Sequence, residues 1–234
     1  MVGLARRARL PELMDDPALG EQEHVDALRG LARINLLSGS APAIWRGIRR
    51  RLPEARRLSL LDVACGSADV TVALAVRARR SGVELDLTGC DISPVAAEAA
   101  SARAKQAGLE ARFVQTDALA GELPGTFDVV LTSLFLHHLS RDESVTLLRI
   151  MASAARDLVV VDDLVRGAAG YLLAATAPQL LTRSPVVHVD ARLSVRAAFK
   201  PEEARALAAT AALVDIEMRR HWPARFLLTA RGAA

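Results

Sequence analysis

The residues best suited to chemistry begin with a run of small and acidic side chains that follows a short apolar stretch, Asp62-Val63-Ala64-Cys65-Gly66-Ser67-Ala68-Asp69. A helical pattern begins directly after it, so the run predicts the end of a buried strand, a tight turn and the start of a helix. Small side chains let a ligand approach the backbone closely, and the amides of the helix start would favour a carboxylate or phosphate. The run therefore predicts a ligand-binding loop, with an ordinary turn as the alternative.

The spacing of the small residues narrows the choice of ligand. A dinucleotide-binding loop would have glycine or alanine at position 69, where this chain has Asp69. The small residues fall instead at Ala64, Gly66 and Ala68. This pattern resembles the nucleotide-binding loop of class I S-adenosylmethionine (SAM) methyltransferases, in which an acidic residue precedes three alternating glycines. Alanine in the first glycine position is common in the ubiquinone/menaquinone methyltransferase branch, whereas Ala68 would crowd a turn that needs positive φ.

Further candidate residues follow the next predicted strands. Asp91 ends a strand without an obvious local partner, and an acid there can accept hydrogen bonds from both hydroxyls of a ribose; a helix-flanking acid is the alternative. By the resemblance, Asp117 binds the adenine amino group, the amide of Ala118 helps to fix the ring, and Ser133 lies against the methionine part of SAM. The predicted cofactor-binding residues are Asp62, Ala64, Gly66, Ser67, Asp91, Ile92, Asp117, Ala118 and Ser133.

Two adjacent histidines, His137 and His138, follow the fourth predicted strand, at the edge where open α/β sheets bind ligands. One of them could be the base that takes a proton from a substrate hydroxyl, and capping or packing is the alternative. We expect no metal ion, because adjacent side chains diverge and no acid or cysteine completes a ligand set.

An apolar segment, 168–181, follows the fifth predicted strand, and the resemblance implies that an insertion at this place covers the substrate. Such a lid would suit a flat, hydrophobic, oxygenated substrate. A packing helix with a solvated loop is the alternative, and contact with a membrane surface is a third possibility. The candidate substrate residues are Arg166, Tyr171, Arg183 and His188.

The elements that must position these residues alternate between strand and helix. Strands are predicted at 58–64, 84–92, 111–115, 127–133 and 158–162, with helices over 69–80, 93–108 and 140–155. A helix over 201–213 and two strands at 214–220 and 225–230 complete the pattern. We therefore predict an α/β, Rossmann-like class I methyltransferase fold, with a seven-stranded, mostly parallel sheet that ends in a C-terminal antiparallel hairpin.

The domain organisation follows from two further helices predicted before the first strand, over 21–38 and 40–52. We predict an N-terminal helical cap over residues 1–56 and a SAM-binding methyltransferase domain over 57–234. Residues 164–200 form the insertion that covers the substrate.

Composition limits the partners. The chain has 234 residues, 51% of them hydrophobic, and a net charge of +3 that comes almost wholly from arginine with interspersed acids. This favours a small-molecule substrate over a nucleic-acid partner. Cys65 and Cys90 have no metal-type spacing, and no signal peptide or spanning segment is visible, so we expect a cytoplasmic protein that could touch a membrane only peripherally.

The resemblance implies a SAM-dependent methyltransferase of secondary metabolism that acts on a small hydrophobic molecule, aromatic or of polyketide or quinone type, with O-methylation favoured over C-methylation. Two alternatives stay open. An RNA methyltransferase is suggested by the sequence pI of about 9.4. A catalytically inactive SAM-fold binding protein is suggested by Ala64 and Ala68. The sequence predicts no oligomeric state.

Overall fold

The computed structural model describes residues 4–16, 18–121 and 123–233. These residues form the strands β1 (Arg57–Val63), β2 (Glu84–Asp91), β3 (Ala111–Gln115), β4 (Phe127–Ser133), β5 (Ala155–Leu164), β6 (Val214–His221) and β7 (Arg225–Arg231). The strands make a seven-stranded sheet in the order β3-β2-β1-β4-β5-β7-β6. Strands β1 to β5 are parallel, and β7 is antiparallel to both β5 and β6. The predicted fold class is confirmed.

Helices connect the strands and cover both faces of the sheet. They are α1 (Glu21–Leu37), α2 (Ser40–Arg51), α3 (Asp69–Arg80), α4 (Pro94–Gln106), α5 (Arg141–Ala154), α6 (Ala168–Leu181), α7 (Pro185–Ala197) and α8 (Pro201–Thr210). Their starts follow from capping chemistry: Ser93 accepts a hydrogen bond from the amide of Ala96, and Ser140 with Glu143 forms a capping box. Short 3-10 turns occupy Leu13–Asp15, Ala118–Ala120 and Leu136–His138.

The central strands are buried on both faces, as a parallel sheet requires. Leu61 of β1 packs in the cluster that contains side chains of α5 and α8, whereas Leu60 packs in the cluster that contains side chains of α2 and α3. These two apolar layers fix the strands. The loops at the carboxyl ends of the strands are therefore presented from a rigid edge.

The N-terminal helices differ in their surroundings. Helix α2 packs against α3, β5 and β7, so it belongs to the helical layer of the sheet. Helix α1 also touches α3, but it extends to α6 and α7. The segment after β5 forms these two helices, α6 and α7, and Ser184 caps α7. Although α6 is apolar, the helices in the described part of the chain include none with the length and apolarity needed to cross a membrane.

Candidate active site

A cavity of about 1220 Å³ opens at the carboxyl ends of β1, β2 and β4. All nine predicted cofactor-binding residues line it. The opposite wall comes from apolar side chains of α1 and α6, among them Leu28, Leu31, Leu173 and Ala177. The cavity therefore joins a polar, loop-built wall to an apolar, helical one.

The loop after β1 has left-handed backbone at each of its three small residues. The φ angles are 56° at Ala64, 53° at Gly66 and 53° at Ala68. A non-glycine residue in this conformation costs about 1–2 kcal/mol, so the two alanines store strain. A Cβ placed on Gly66 would meet no atom within 4 Å, so the backbone there faces open space. The turn thus has positive φ at Ala68, which is the condition under which an alanine there would crowd it.

Asp91 is tied to this loop. Its Oδ2 accepts a hydrogen bond from the amide of Gly66 at 2.8 Å, and its Oδ1 accepts one from the amide of Ser93 at 2.9 Å. The expectation that Asp91 lacks a local partner is wrong, because the strand tip faces the loop. Each carboxylate oxygen keeps further acceptor capacity, so Asp91 is still free to accept hydrogen bonds from a ribose.

Two buried carboxylate oxygens at the polar end of the cavity, Asp62 Oδ1 and Asp69 Oδ2, have no hydrogen-bond partner among the described residues. Burial raises the pKa of Asp62 to about 7, with the hydrogen bond from Thr71 acting against it and the charges of Asp69 and Asp91 adding to it. Open acceptors on two acids fit a cationic ligand group. SAM carries an ammonium and a sulfonium, so the residues present fit this cofactor.

A buried polar network that the sequence did not predict lies beside Ser133. Asp162 Oδ2 accepts a hydrogen bond from Ser40 Oγ at 2.7 Å, and Asp162 Oδ1 is 2.5 Å from His221 Nε2. Arg225 contacts Ser40, and its Nη2 donates to Asn35 Oδ1 at 2.9 Å. Arg225 and Asn35 line the cavity. The side chains of this network come from five elements, α1, α2, β5, β6 and β7. No local sequence pattern could therefore have indicated it.

The histidine pair also lines the cavity, on the short turn after β4. His137 is buried, with its Nδ1 2.7 Å from Asp163 Oδ1 and its amide donating to Asp163 Oδ2 at 2.9 Å. Burial acts to raise the pKa of Asp163, but His137 and the backbone amides outweigh it and hold the pKa below its usual value. The ring centroids of His137 and His138 are 4.3 Å apart, so the two imidazoles lie side by side.

An acid that is distant in sequence completes this cluster. Glu12 Oε1 is 4.0 Å from His137 Nε2, and Glu12 Oε2 is 4.0 Å from His138 Nε2. The Glu12 side chain is 8% exposed, and its Oε1 accepts a hydrogen bond from Ser194 Oγ at 2.7 Å. The sequence argument that no acid accompanies the pair is therefore wrong, because the fold brings one from the N-terminal segment.

The N-terminal segment, residues 4–16, is held in place over the cavity. The amides of Leu13 and Met14 donate to Asp190 Oδ1 and Oδ2 at 2.8 and 3.0 Å. Arg7 Nη2 donates to the carbonyl of His137 at 2.8 Å. The acidic, proline-containing stretch 11–17 of the sequence falls in and just after this segment, with Pro17 outside the described residues.

The four predicted substrate residues lie elsewhere. Among the described residues, the lining of the cavity includes none of these four, which are Arg166, Tyr171, Arg183 and His188. Arg166 is buried in an ion pair with Glu203, at 2.9 Å between Nη2 and Oε1. His188 Nε2 is 2.9 Å from the carbonyl of Thr182. Helices α6 and α7 do line the cavity, but with residues of other turns, such as Leu173 and Ala191.

Comparison with known proteins agrees with this geometry. Residues 60–157 match the family model described as a methyltransferase domain. The chain is 35% identical over 133 residues to the demethylmenaquinone methyltransferase of Thermus thermophilus, covering 54% of this chain and 57% of that protein. It is 30% identical over 117 residues to the ubiquinone biosynthesis O-methyltransferase of Chromobacterium violaceum, covering 49% and 48%. The chain spans about half the length of the curated relatives it matches.

Solved structures share the fold. One is magnesium protoporphyrin IX methyltransferase from Synechocystis with bound SAH, with a TM-score of 0.58, 16% identity, and coverage of 94% of this chain and 91% of that one. Another is an O-methyltransferase family 2 protein from Planctomyces limnophilus in complex with apigenin, with a TM-score of 0.66, 17% identity, and coverage of 93% and 63%.

The fold and the loop-built wall define a class I methyltransferase domain, whose cofactor is SAM. Within that class, about half of the chain is similar to methyltransferases of ubiquinone and menaquinone biosynthesis.

Proposed function

We propose that this protein transfers the methyl group of SAM to an oxygen atom of a small hydrophobic molecule, aromatic or of polyketide or quinone type. One observation carries the proposal: a single cavity joins the nine predicted cofactor residues to an apolar lid, with two imidazoles between them. A relative that acts in ubiquinone biosynthesis is an O-methyltransferase by name, and a structural neighbour holds apigenin, a hydroxylated aromatic molecule. Both support an oxygen acceptor.

We assign the cofactor contacts residue by residue. SAM supplies a methyl group on a positively charged sulfur. In the proposal, Asp91 accepts hydrogen bonds from the ribose, and Asp117 and Ala118 hold the adenine. Asp62 and Asp69 receive the ammonium through their open oxygens.

The protein's remaining contribution is to hold the acceptor oxygen in line with the methyl group. Positioning of this kind supplies ~7–11 kcal/mol of barrier reduction. The acceptor would be held between the N-terminal segment, α1 and α6, whose side chains line the cavity.

Activation of the acceptor hydroxyl falls to the cluster of Glu12, His137 and His138. The direct route is proton transfer to one imidazole. Asp163 would hold the ring of His137 by its Nδ1, so that Nε2 accepts the proton. This route needs one histidine only, because a single imidazole takes the single hydroxyl proton.

The test is a methyl-transfer assay with isotope-labelled SAM and a panel of hydroxylated acceptors: a naphthol, a hydroquinone with an alkyl tail and a flavonoid. We expect a product that is heavier by one labelled methyl group and has lost one phenolic hydroxyl. A methyl group on carbon would overturn the oxygen assignment. SAM binding without transfer to any acceptor would instead support the inactive binding protein, and labelling of added RNA would support the RNA enzyme.

A further inference from the structure

Three potential metal ligands from two distant parts of the chain converge in the cavity. Ligand atoms of Glu12, His137 and His138 all lie within 4.8 Å of one another. The two imidazole Nε2 atoms are each 4.0 Å from a different oxygen of the same carboxylate. These separations are too long for hydrogen bonds, and they are the distances of an ion pair or of ligands that share an ion.

The spacing suits a shared ion. Two ligand atoms on a tetrahedral Zn²⁺ lie roughly 3.4 Å apart, given bond lengths of about 2.0–2.2 Å. A small side-chain rotation would therefore close the cluster around an ion. Two imidazoles and one carboxylate suit zinc and its transition-metal neighbours better than magnesium or calcium. Three protein ligands leave a position open toward the cavity, which is the arrangement of a catalytic site.

The surroundings orient these ligands. His137 Nδ1 is held 2.7 Å from Asp163 Oδ1, which leaves Nε2 as the nitrogen that faces Glu12. A carboxylate behind a histidine is the usual second layer of a metal site, where it fixes the ring and raises its basicity. Ser194 holds one oxygen of Glu12 at 2.7 Å, and Asp190 anchors the backbone just after Glu12.

We infer that Glu12, His137 and His138 bind a divalent transition-metal ion of the Zn²⁺ type, which activates the acceptor hydroxyl. The ion would occupy the place of the direct base: it binds the acceptor oxygen and lowers the pKa of the hydroxyl. The O–H bond breaks and the proton goes to water; the acceptor oxygen then forms the bond to the methyl carbon as the carbon–sulfur bond of SAM breaks. The role in catalysis rests on the proposed function, whereas ion binding does not.

Binding is tested on the full chain after treatment with a chelator, without SAM. Titration with Co²⁺ is followed by visible absorption, and titration with Zn²⁺ by calorimetry. We expect one ion per chain. Glu12→Gln and His138→Gln should each weaken binding by about 100-fold or more, and Asp163→Asn, which changes a positioning residue, by about 10–100-fold. His24→Gln is the matched control, since His24 lines the same cavity outside the cluster and should leave the affinity unchanged.

The outcomes separate the two proposals. Loss of Co²⁺ and Zn²⁺ binding in the cluster variants, with an unchanged dissociation constant for SAM, supports the metal site and shows that the variants are folded. Absent binding in the wild type, or equal affinity in Glu12→Gln, overturns it. In the methyl-transfer assay, a metal site makes both histidines necessary, whereas a direct base makes only one necessary and leaves a chelator without effect. Ion binding without methyl transfer would contradict the proposed function alone.

Discussion

Single acidic residues at the carboxyl edge of the sheet have structural tasks in addition to any contact with a ligand. Asp91 joins the tip of β2 to the loop after β1, because its two oxygens accept amides from both places. Asp163 binds both the amide and the ring of His137. Substitutions at such residues should therefore change both stability and ligand binding, and each test needs to measure the two separately.

Replacing Asp91 with alanine should weaken SAM binding by ~10²–10⁴-fold, since two charge-assisted hydrogen bonds to the ribose are worth ~1.5–3 kcal/mol each. It should also lower the free energy of unfolding by ~1–3 kcal/mol, because the amides of Gly66 and Ser93 lose their acceptor. Calorimetry with SAM and urea denaturation measure the two effects. Asp86→Ala is the control: it changes an exposed acid of the same strand and should leave both SAM affinity and the free energy of unfolding unchanged. Unchanged SAM affinity in Asp91→Ala would refute the ribose assignment.

The pKa of Asp62 predicts a pH dependence of stability. Burial raises this pKa from 3.8 to about 7, so the folded state binds a proton that the unfolded state releases. The contribution of Asp62 is fully present below about pH 4 and is lost as the pH rises through 7. Without SAM, the unfolding free energy of the wild type relative to Asp62→Asn should therefore fall between pH 4 and pH 7. Parallel denaturation curves for the two proteins across this range would contradict the raised pKa.

The sequence predicted residues that follow strand ends, because parallel strands bring their carboxyl ends to one edge of the sheet. That argument covers Asp62, Asp91 and Ser133, all of which line the cavity. It could not cover Glu12 or Arg225, because their positions depend on the path of the N-terminal segment and on the pairing of β7. Long-range packing of this kind leaves no local pattern.

At the scale of elements, the N-terminal segment acts as a cover for the cavity that is fastened by polar contacts. Arg7 is its main anchor: the guanidinium lies 3.8 Å from the ring centroid of Phe199 and donates to the carbonyls of His137 and Leu139 at 2.8 and 2.6 Å. Burial lowers the pKa of Arg7 to about 10, so the side chain stays charged at neutral pH. The segment thus depends on a few bonds to backbone carbonyls.

Arg7→Ala should release this cover. We expect a loss of ~2 kcal/mol in unfolding free energy, in line with hydrogen bonds made by a charged group, and faster proteolytic cleavage within residues 4–16. Arg6→Ala is the control, because Arg6 is exposed on the same segment. Equal cleavage rates in the two variants would argue against an anchoring role for Arg7.

Element boundaries were predictable where local chemistry sets them. The helix over 69–80 and the strands at 111–115 and 127–133 have the predicted bounds. Strand β5 is longer than predicted, Ala155–Leu164, because its pairing runs from Ala155 with Phe127 of β4 to Leu164 with Arg225 of β7. Helix α7 was not predicted, because the sequence indicated only one apolar segment here, 168–181, with a loop after it.

At the scale of the whole molecule, α1 joins the sheet domain to the lid. Gly30 of α1 allows this contact: a Cβ at that position would lie 2.5 Å from Thr182 Oγ1 and 3.3 Å from Val187 Cγ2. Alanine is normally the better helix residue by about 1 kcal/mol, so a glycine here is explained by the close approach of the lid. The relative placement of α1 and the lid therefore sets the width of the apolar wall.

Gly30→Ala should separate α1 from the lid. Overpacking of this kind costs ~1–3 kcal/mol, and we expect a higher KM for the acceptor with an unchanged dissociation constant for SAM. Thermal denaturation and steady-state kinetics measure the two effects. Gly167→Ala is the matched control beside α6, where the backbone is extended and a Cβ meets no atom within 4 Å. A stabilised Gly30→Ala protein with normal kinetics would contradict the close contact.

The strand order has a consequence for synthesis on the ribosome. Strand β7 follows β6 in the chain but lies between β5 and β6 in the sheet. After β5 has been made, the roughly 60 residues up to Arg225 must be translated before its outer edge finds a partner, which takes about 3–12 s. During this interval the apolar run Val159–Val161 borders an open edge, and β6 has no strand to join. The nascent chain therefore exposes at this stage an apolar edge that β7 covers in the finished protein.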